Sequence, residues 1–321
     1  MIVLNGRNVN HLLPQGIALL KERGVKIAPR GMETLEMPCS VASVYERPQE
    51  RVLFDPVRDA NPFFHFMEGL WIIGGRNDVK WLAQFNKRMV DYSDDGRVFH
   101  GAYGHRLRMA LGDQVAKAIT MLQADPDTRR CVLQIWDAER DLDAISRDIP
   151  CNDLIMLKVR DGKLNMTVCN RSNDIVWGCY GANAVHFSML QEYIASMAGF
   201  EIGTYTQISD SYHVYTDNPY WQNDKFTNSH DLYITGVKPK PLVDSPRSFD
   251  TELEQFFKYD GSTRGIGHTA NTIFNEVAIP MYNAWWAHKM DGNGAIYANQ
   301  IKAEDWRFAC LQWLDKRGDV L

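Results

Sequence analysis

The sequence predicts an α+β fold with a central sheet and a helical C-terminal appendage. Three observations predict it. The stretch 154–174, LIMLKVRDGKLNMTVCNRSND, alternates apolar and polar residues about Asp161-Gly162 and reads as a β-hairpin. Further strand-like segments are interspersed with segments of helical spacing. From about residue 250 onward the spacing is helical alone.

In chain order, residues 9–24 read as a helix despite Pro14, and Ser40 to Phe54 reads as a strand. Asn61 and Pro62 open a helix as N-cap and first helical residue. That helix carries Phe63, Phe64, Met67, Leu70 and Trp71 on one broad face, with Glu68 among them. Residues 112–124 are helical and stop at the turn around Pro126, and CVLQIWD (131–137) is a strand. The hairpin follows. A helix over 183–198 ends before Gly199, and 204–215 is a strand. Helical runs follow near 250–258, 271–289 and 302–316. Pro239, Pro241 and Pro246 mark a junction, which divides the chain into 1–240 and a helical extension, 241–321.

Composition narrows the function. Apolar residues make up 45% of the chain, enough for a sizeable core. The net charge of -5, with both signs dispersed, argues against a nonspecific nucleic-acid binder. No apolar run suggests a membrane span, and no secretory signal is evident, so a cytoplasmic protein is expected. The six cysteines form no C-x-x-C pair, so no metal site is expected. Five of them read as buried, reduced thiols.

The sixth is Cys151, in RDIPCND between a charged loop and an apolar strand. On its own it too reads as a structural thiol. A nucleophilic role requires nearby cations to depress its pKa. Candidates are Arg129-Arg130, before a strand, and Arg171, at the end of one. Each also reads as a solvated surface charge. NRSND (170–174) is more specific, because a guanidinium fork beside a hydroxyl suits phosphate oxygens. Asp174 either binds a polar heterocycle or caps the next helix. Asn183 either caps that helix or pairs with the edge of a base.

Together these segments resemble the thymidylate synthase family. KIAPRGMET supplies the family's phosphate-loop arginine as Arg30. EGLWIIGGRND matches its glutamate helix, with Glu68 and nearby Trp71, and GAYG gives Tyr103. TRRCVLQIW matches the paired arginines, IPCND the nucleophile segment, NRSND the R-S-x-D motif and SDSYHVY the D-x-H-x-Y strand. All lie in the family's order, over about residues 15–220. The resemblance implies a mixed sheet with helices on one side. It implies that Cys151 adds to C6 of a pyrimidine nucleotide and makes C5 nucleophilic. Arg30, Arg171 and Ser172 then hold the 5′-phosphate, and His213 and Tyr215 contact the sugar hydroxyl. Asp174 holds the pterin of the co-substrate, 5,10-methylenetetrahydrofolate, with Trp71 nearby. Glu68 and Tyr103 organise water and proton transfer. The family is an obligate homodimer, so Arg129 and Arg130 are expected to reach the partner's phosphate site. A dense cationic pocket is expected to lower the thiol pKa.

Three departures shape the expected reaction. RMVDYSDDG puts Met89 and Tyr92 where synthases carry a tryptophan pair that shields the exocyclic intermediate from water. Asn152 replaces a histidine after the cysteine. The synthase tail that closes over folate has no recognisable counterpart; the chain instead runs on to Val320-Leu321 through Trp285, Trp286, Trp306 and Trp313, which read as core packing. A less shielded intermediate is attacked by water, so a pyrimidine nucleotide 5-hydroxymethylase is expected ahead of thymidylate synthase or a silent nucleotide-binding homologue. Asn183 favours dUMP over dCMP or CMP. Yet it lies five residues after Gly178, where the family spacing is four; without an insertion the slot falls on Ala182.

Overall fold

The computed structural model describes residues 1–223, 230–261 and 266–319; Val320 and Leu321 lie outside them. In chain order the elements are β1 (Ile2–Gly6), α1 (Val9–Arg23), β2 (Val25–Ile27), β3 (Thr34–Glu36), β4 (Val41–Tyr45), α2 (Pro62–Ile73) and α3 (Val79–Phe85). Then come α4 (Tyr103–Arg108), α5 (Gln114–Ala124), β5 (Val132–Gln134), α6 (Ala138–Asp141), β6 (Asn152–Arg160), β7 (Lys163–Asp174), α7 (Asn183–Ala198), β8 (Glu201–Tyr215) and α8 (Pro219–Gln222). The last helices are α9 (Phe249–Phe257), α10 (Ile279–Met290), α11 (Gly294–Ala298) and α12 (Glu304–Asp315).

The sheet runs β1-β4-β8-β7-β6-β5, with the β2–β3 pair joined to the end of β8 through β3. It is mixed: β1–β4 and β7–β8 are parallel, while β4–β8, β6–β7 and β5–β6 are antiparallel. The predicted hairpin is β6–β7. Its turn puts Asp161 at φ 52° and Gly162 at φ 72°, the doubly left-handed backbone that a tight hairpin turn requires.

Helices cover one face of the sheet. α7 is buried along nearly its whole length and packs against β7, β8 and α2. Asn61 caps α2 as expected, its side chain accepting the Phe64 N–H at 3.1 Å. The broad apolar face of α2 is buried, each large side chain contributing roughly 1.5–3 kcal/mol. The other face of the sheet is open in this chain: Val132 is 55% exposed and Met156 39%.

The extension shares the core of the rest of the chain. Trp285 packs on Phe63 at 5.7 Å, Trp306 edge-on to Phe66 at 5.1 Å, and Phe256 and Phe257 on Trp81. Trp285, Trp306 and Trp313 are buried, as core packing requires, whereas Trp286 is half-buried against the core. No helix of the described residues is long and apolar enough to cross a membrane.

Two expectations are corrected. The strand predicted over Ser40 to Phe54 is regular only over Val41–Tyr45. Beyond Pro48 the chain is irregular yet largely buried, and side chains replace the ladder: Asn10 bonds Val52 O and Phe54 N, and Tyr233 Oη bonds Val52 N. Burial, not pairing, produced the alternation. Of the five cysteines read as buried thiols, Cys39 is exposed and Cys169 half-buried; Cys131, Cys179 and Cys310 are buried, and all six are free. The sequence reading also passed over β1, β2, β3 and α3, which are short.

Candidate active site

The hairpin and β8 bring most of the expected residues to one end of the sheet. Cys151 immediately precedes β6, and Arg171 lies on β7 next to it. Arg171 Nη2 is 4.0 Å from Cys151 Sγ, while Nε and Nη2 are held by the carbonyls of Pro150 (2.8 Å) and Ile149 (3.0 Å). The guanidinium also lies over the Trp136 ring at 5.5 Å. The arginine therefore fixes the segment carrying the cysteine and sits beside its sulfur. Arg30 stands in a short turn at φ 53°, a left-handed conformation that costs a non-glycine residue energy. Its charge reaches Cys151 and Tyr215.

The expected low thiol pKa is not what this chain alone produces. Burial pushes the Cys151 thiol up; Asp148 and Asp153 reinforce this, and Arg171 and Arg30 oppose it without prevailing. The paired arginines do not contribute. Both are exposed and precede β5, whose register sets Val132 opposite Met156. They therefore flank the far end of β6, on the order of 20 Å from Cys151 at about 3.3 Å per strand residue.

On the β7–β8 side, Ser172 is in register with Ser211, and Asp174 with His213. His213 is buried, with Nδ1 3.1 Å from Ser211 Oγ and its ring edge-on to Tyr215 at 5.4 Å. Of the two roles considered for Asp174, the structure shows the cap. Its Oδ1 accepts the N–H groups of Val176 and Trp177, capping the next turn. Its Oδ2 is buried with no partner. Burial raises this carboxyl, opposed by the Trp177 N–H, His213 and Arg58. An unpaired buried carboxylate oxygen suits a polar heterocycle that donates N–H groups, and the half-exposed Trp177 ring stands beside it over Arg58 at 4.5 Å. The residues present thus fit a pterin.

The spacing question at Asn183 has a structural answer. Residues 175–182 form a π-helical turn, which takes one residue more than an α-turn. The extra residue is absorbed there, and Asn183 is delivered next to Gly178: a Cβ on Gly178 would lie 2.7 Å from Asn173 Oδ1 and 3.5 Å from Asn183 Nδ2. The Asn183 amide thus stands beside Gly178 and Asn173. A relay orients it. Gln207 donates to Cys179 O and Tyr45 Oη, accepts from Asn173 Nδ2, and Asn173 Oδ1 accepts from Asn183 Nδ2 at 3.1 Å.

A cleft of about 160 Å³ is lined by Glu68, Trp71, Tyr103 and Asp148, with Met89 and Tyr92 among its other walls; Cys151 is not a wall of it but lies near enough to Tyr103 and Asp148 to interact with them electrostatically. Tyr103 begins α4 and stacks on Phe187 at 6.0 Å. Burial raises its phenol well above the usual range, and Cys151, Asp148 and Glu68 add to this. Asn152 is fully buried beside it, with neither end of its amide in a well-formed hydrogen bond. Trp71 donates its indole N–H to Asp78 at 3.2 Å, so it presents only ring to the cleft.

The sequence reading missed His186. Its Nε2 is 3.0 Å from Glu68 Oε2. The one available signal was position, since His186 lies one turn beyond Asn183 on the same helical face. It also missed Asp148, Asn173 and Arg58. Among the described residues no group of three or more His, Cys, Asp or Glu side chains is arranged to hold a metal ion.

Known proteins resemble the chain over most of its length. The thymidylate synthase family model matches residues 61–232. The chain is 41% identical to the deoxyuridylate hydroxymethyltransferase of Pseudomonas phage M6, covering 99% of this chain and 95% of that one. It is 38% identical to the enzyme of the same name from Bacillus phage SP01, over 68% of this chain and 60% of the relative. A putative thymidylate synthase of Methanothermobacter marburgensis is 40% identical over 43% of this chain and 60% of its own length.

Proposed function

The chain belongs to the thymidylate synthase family, and from that premise we propose that it transfers the one-carbon unit of 5,10-methylenetetrahydrofolate to C5 of dUMP and releases 5-hydroxymethyl-dUMP. The co-substrate supplies that carbon at the formaldehyde level. Cys151 adds to C6 of the uracil, and the C5 anion that results attacks the incoming carbon. Arg171, Arg30 and Ser172 hold the phosphate, and His213 and Tyr215 the sugar hydroxyl. Asn183 accepts from uracil N3–H through Oδ1, the end of its amide that the relay leaves free. Asp174 Oδ2 receives the pterin N–H groups, with Trp71 walling the cleft. Glu68, Tyr103 and Asn152 order water and protons around the reacting carbons. The working enzyme is a homodimer in which the partner's copies of Arg129 and Arg130 complete the phosphate site. They also add the positive charge that would bring the buried thiol down to a reactive range.

The observation that carries the product is the wall of the cleft. Met89 and Tyr92 stand there, and Tyr92 is 47% exposed, so no pair of indoles seals the exocyclic carbon from water. The phage relatives named deoxyuridylate hydroxymethyltransferase support the same reading.

Mass spectrometry of the product tests it. The protein incubated with dUMP and methylenetetrahydrofolate is expected to yield the hydroxymethyl nucleotide and tetrahydrofolate. Thymidylate accompanied by dihydrofolate sinks the reading, as does turnover of dCMP, UMP or CMP in preference to dUMP. Cys151→Ala is expected to abolish tritium release from C5-labelled dUMP while nucleotide binding remains.

A further inference from the structure

The cleft holds two carboxyls, and the reaction proposed above accounts for one of them. Asp148 lies three residues before Cys151 and lines the same cleft as Glu68, Trp71 and Tyr103. Its seat is rigid. One carboxylate oxygen accepts the Gly101 N–H at 2.8 Å, and the Asp148 N–H is held by Ser146 Oγ at 3.1 Å. Gly101 presses so closely on this segment that a Cβ there would fall 2.6 Å from Asp148 O. The carboxyl is near enough to influence both the Cys151 thiol and the Tyr103 phenol. Glu68 is engaged differently, with one oxygen 3.0 Å from the buried His186.

Hydroxymethyl transfer needs two proton removals that synthesis of a methyl group does not combine. A proton leaves C5, and later a proton leaves the water that adds to the exocyclic carbon. We propose that Asp148 is the base that takes the proton from this attacking water, leaving Glu68 to serve the earlier steps at the pyrimidine. The inference rests on the hydroxymethylase reading. The water oxygen bonds to the exocyclic carbon, and the π pair of the C5-methylene bond moves into the ring as an enolate. The water proton passes to Asp148. The enolate pair then re-forms C5=C6 as the C6–S bond breaks, its electrons returning to Cys151 Sγ. No oxidant or reductant enters. Burial raises the Asp148 carboxyl, with Asp94 reinforcing and the Gly101 N–H, His100 and Arg106 opposing, which makes it a stronger base than an exposed aspartate.

Single-turnover experiments with the full chain, dUMP tritiated at C5 and methylenetetrahydrofolate test the assignment. Asp148→Asn keeps the shape and an acceptor for the Gly101 N–H. It is expected to retain the burst of tritium release while hydroxymethyl product falls on the order of 100-fold. The stalled electrophile is expected to be captured by added 2-mercaptoethanol as a 5-thioether nucleotide, since a thiolate needs no base. Asp148→Ser, smaller and tolerated where the amide is not, is expected to show the same split. Product at the wild-type rate in these variants overturns the assignment. So does loss of tritium release in step with product. If the wild-type protein makes thymidylate instead, the reaction reading falls first, and that result is distinct from either variant outcome.

Discussion

At the scale of single residues, the polar side chains of the candidate site are held both by one another and by the backbone. Asn183 is the clearest case of the former. Its Nδ2 is committed to Asn173 Oδ1, and Asn173 is committed through Gln207 to Cys179 O and Tyr45 Oη. Flipping the Asn183 amide would set two oxygens against each other inside a buried network, at about 1–3 kcal/mol for an unmet buried group. The free oxygen is therefore an acceptor, which suits uracil N3–H and offers nothing to the unprotonated N3 of cytosine. Asn183→Asp is expected to lower kcat/KM for dUMP by roughly 5- to 150-fold, the equivalent of that 1–3 kcal/mol, and to narrow the margin over dCMP. Steady-state turnover of the two nucleotides checks this. An unchanged preference would show that another group reads the base. Buried unpaired Asp174 Oδ2 makes the parallel argument for the folate side, where removal of the carboxylate should raise KM for folate more than for dUMP.

At the scale of elements, α12 carries a titration that links its docking to pH. Asp305 lies in its first turn, fully buried, and accepts from Tyr233 Oη at 3.0 Å and from its neighbour Trp306 N at 2.9 Å. Burial pushes its carboxyl up to about 6, opposed by those bonds and by Arg51. The sign follows from proton counting. Between about pH 4 and 6 the folded chain holds a proton that the unfolded chain has released. Asp305 therefore subtracts stability as pH rises through that window, and the loss is complete above it. Asp305→Asn removes the penalty and keeps polar groups in place, so it is expected to stabilise the protein at pH 7 by about 1–2 kcal/mol and by little at pH 4. Thermal melts of both proteins across pH 4–7 measure the difference. Comparison with wild type is essential because Asp153, also pushed up to about 6, titrates in the same window. Elements with a clean period were legible from the sequence: α2 with its Asn-Pro start, the β6–β7 hairpin with its Asp-Gly turn, α7 and β8. What was not legible has physical causes. β1, β2 and β3 are too short to show a period, and the buried segment after Pro48 copies strand alternation while its bonds come from Asn10 and Tyr233. At the candidate site, local motifs singled out Cys151, Arg171, Asp174 and Asn183. Asp148 and His186 stayed hidden because an ordinary acid in a loop and a histidine in a helix acquire meaning only through partners distant in the chain. The π-turn was visible as a spacing anomaly, but its resolution required the backbone.

At the scale of the whole molecule, one chain presents an incomplete charge arrangement. Two carboxylates, Asp148 and Asp153, and burial outweigh Arg171 and Arg30 at the thiol, while Arg129 and Arg130 point into solvent near the β5 edge. The sheet face on the side away from the helices is also open, with Val132 and Met156 uncovered beside them. A twofold partner packed on that face would cover the apolar residues and, since an isologous contact exchanges the same patch in both directions, would bring each chain's paired arginines to the other's site. The claim has a test that does not depend on seeing the dimer. Cys151→Ala and the double variant Arg129→Ala, Arg130→Ala are each expected to be inactive alone. Mixed after reversible dissociation, half of the dimers at equal concentrations contain one chain of each kind. In such a hybrid, one site receives both defects, while the other pairs an intact cysteine with the partner's intact arginines. About a quarter of wild-type activity should therefore return on mixing. If each chain used its own arginines, every site in the hybrid would carry one defect and no activity would return.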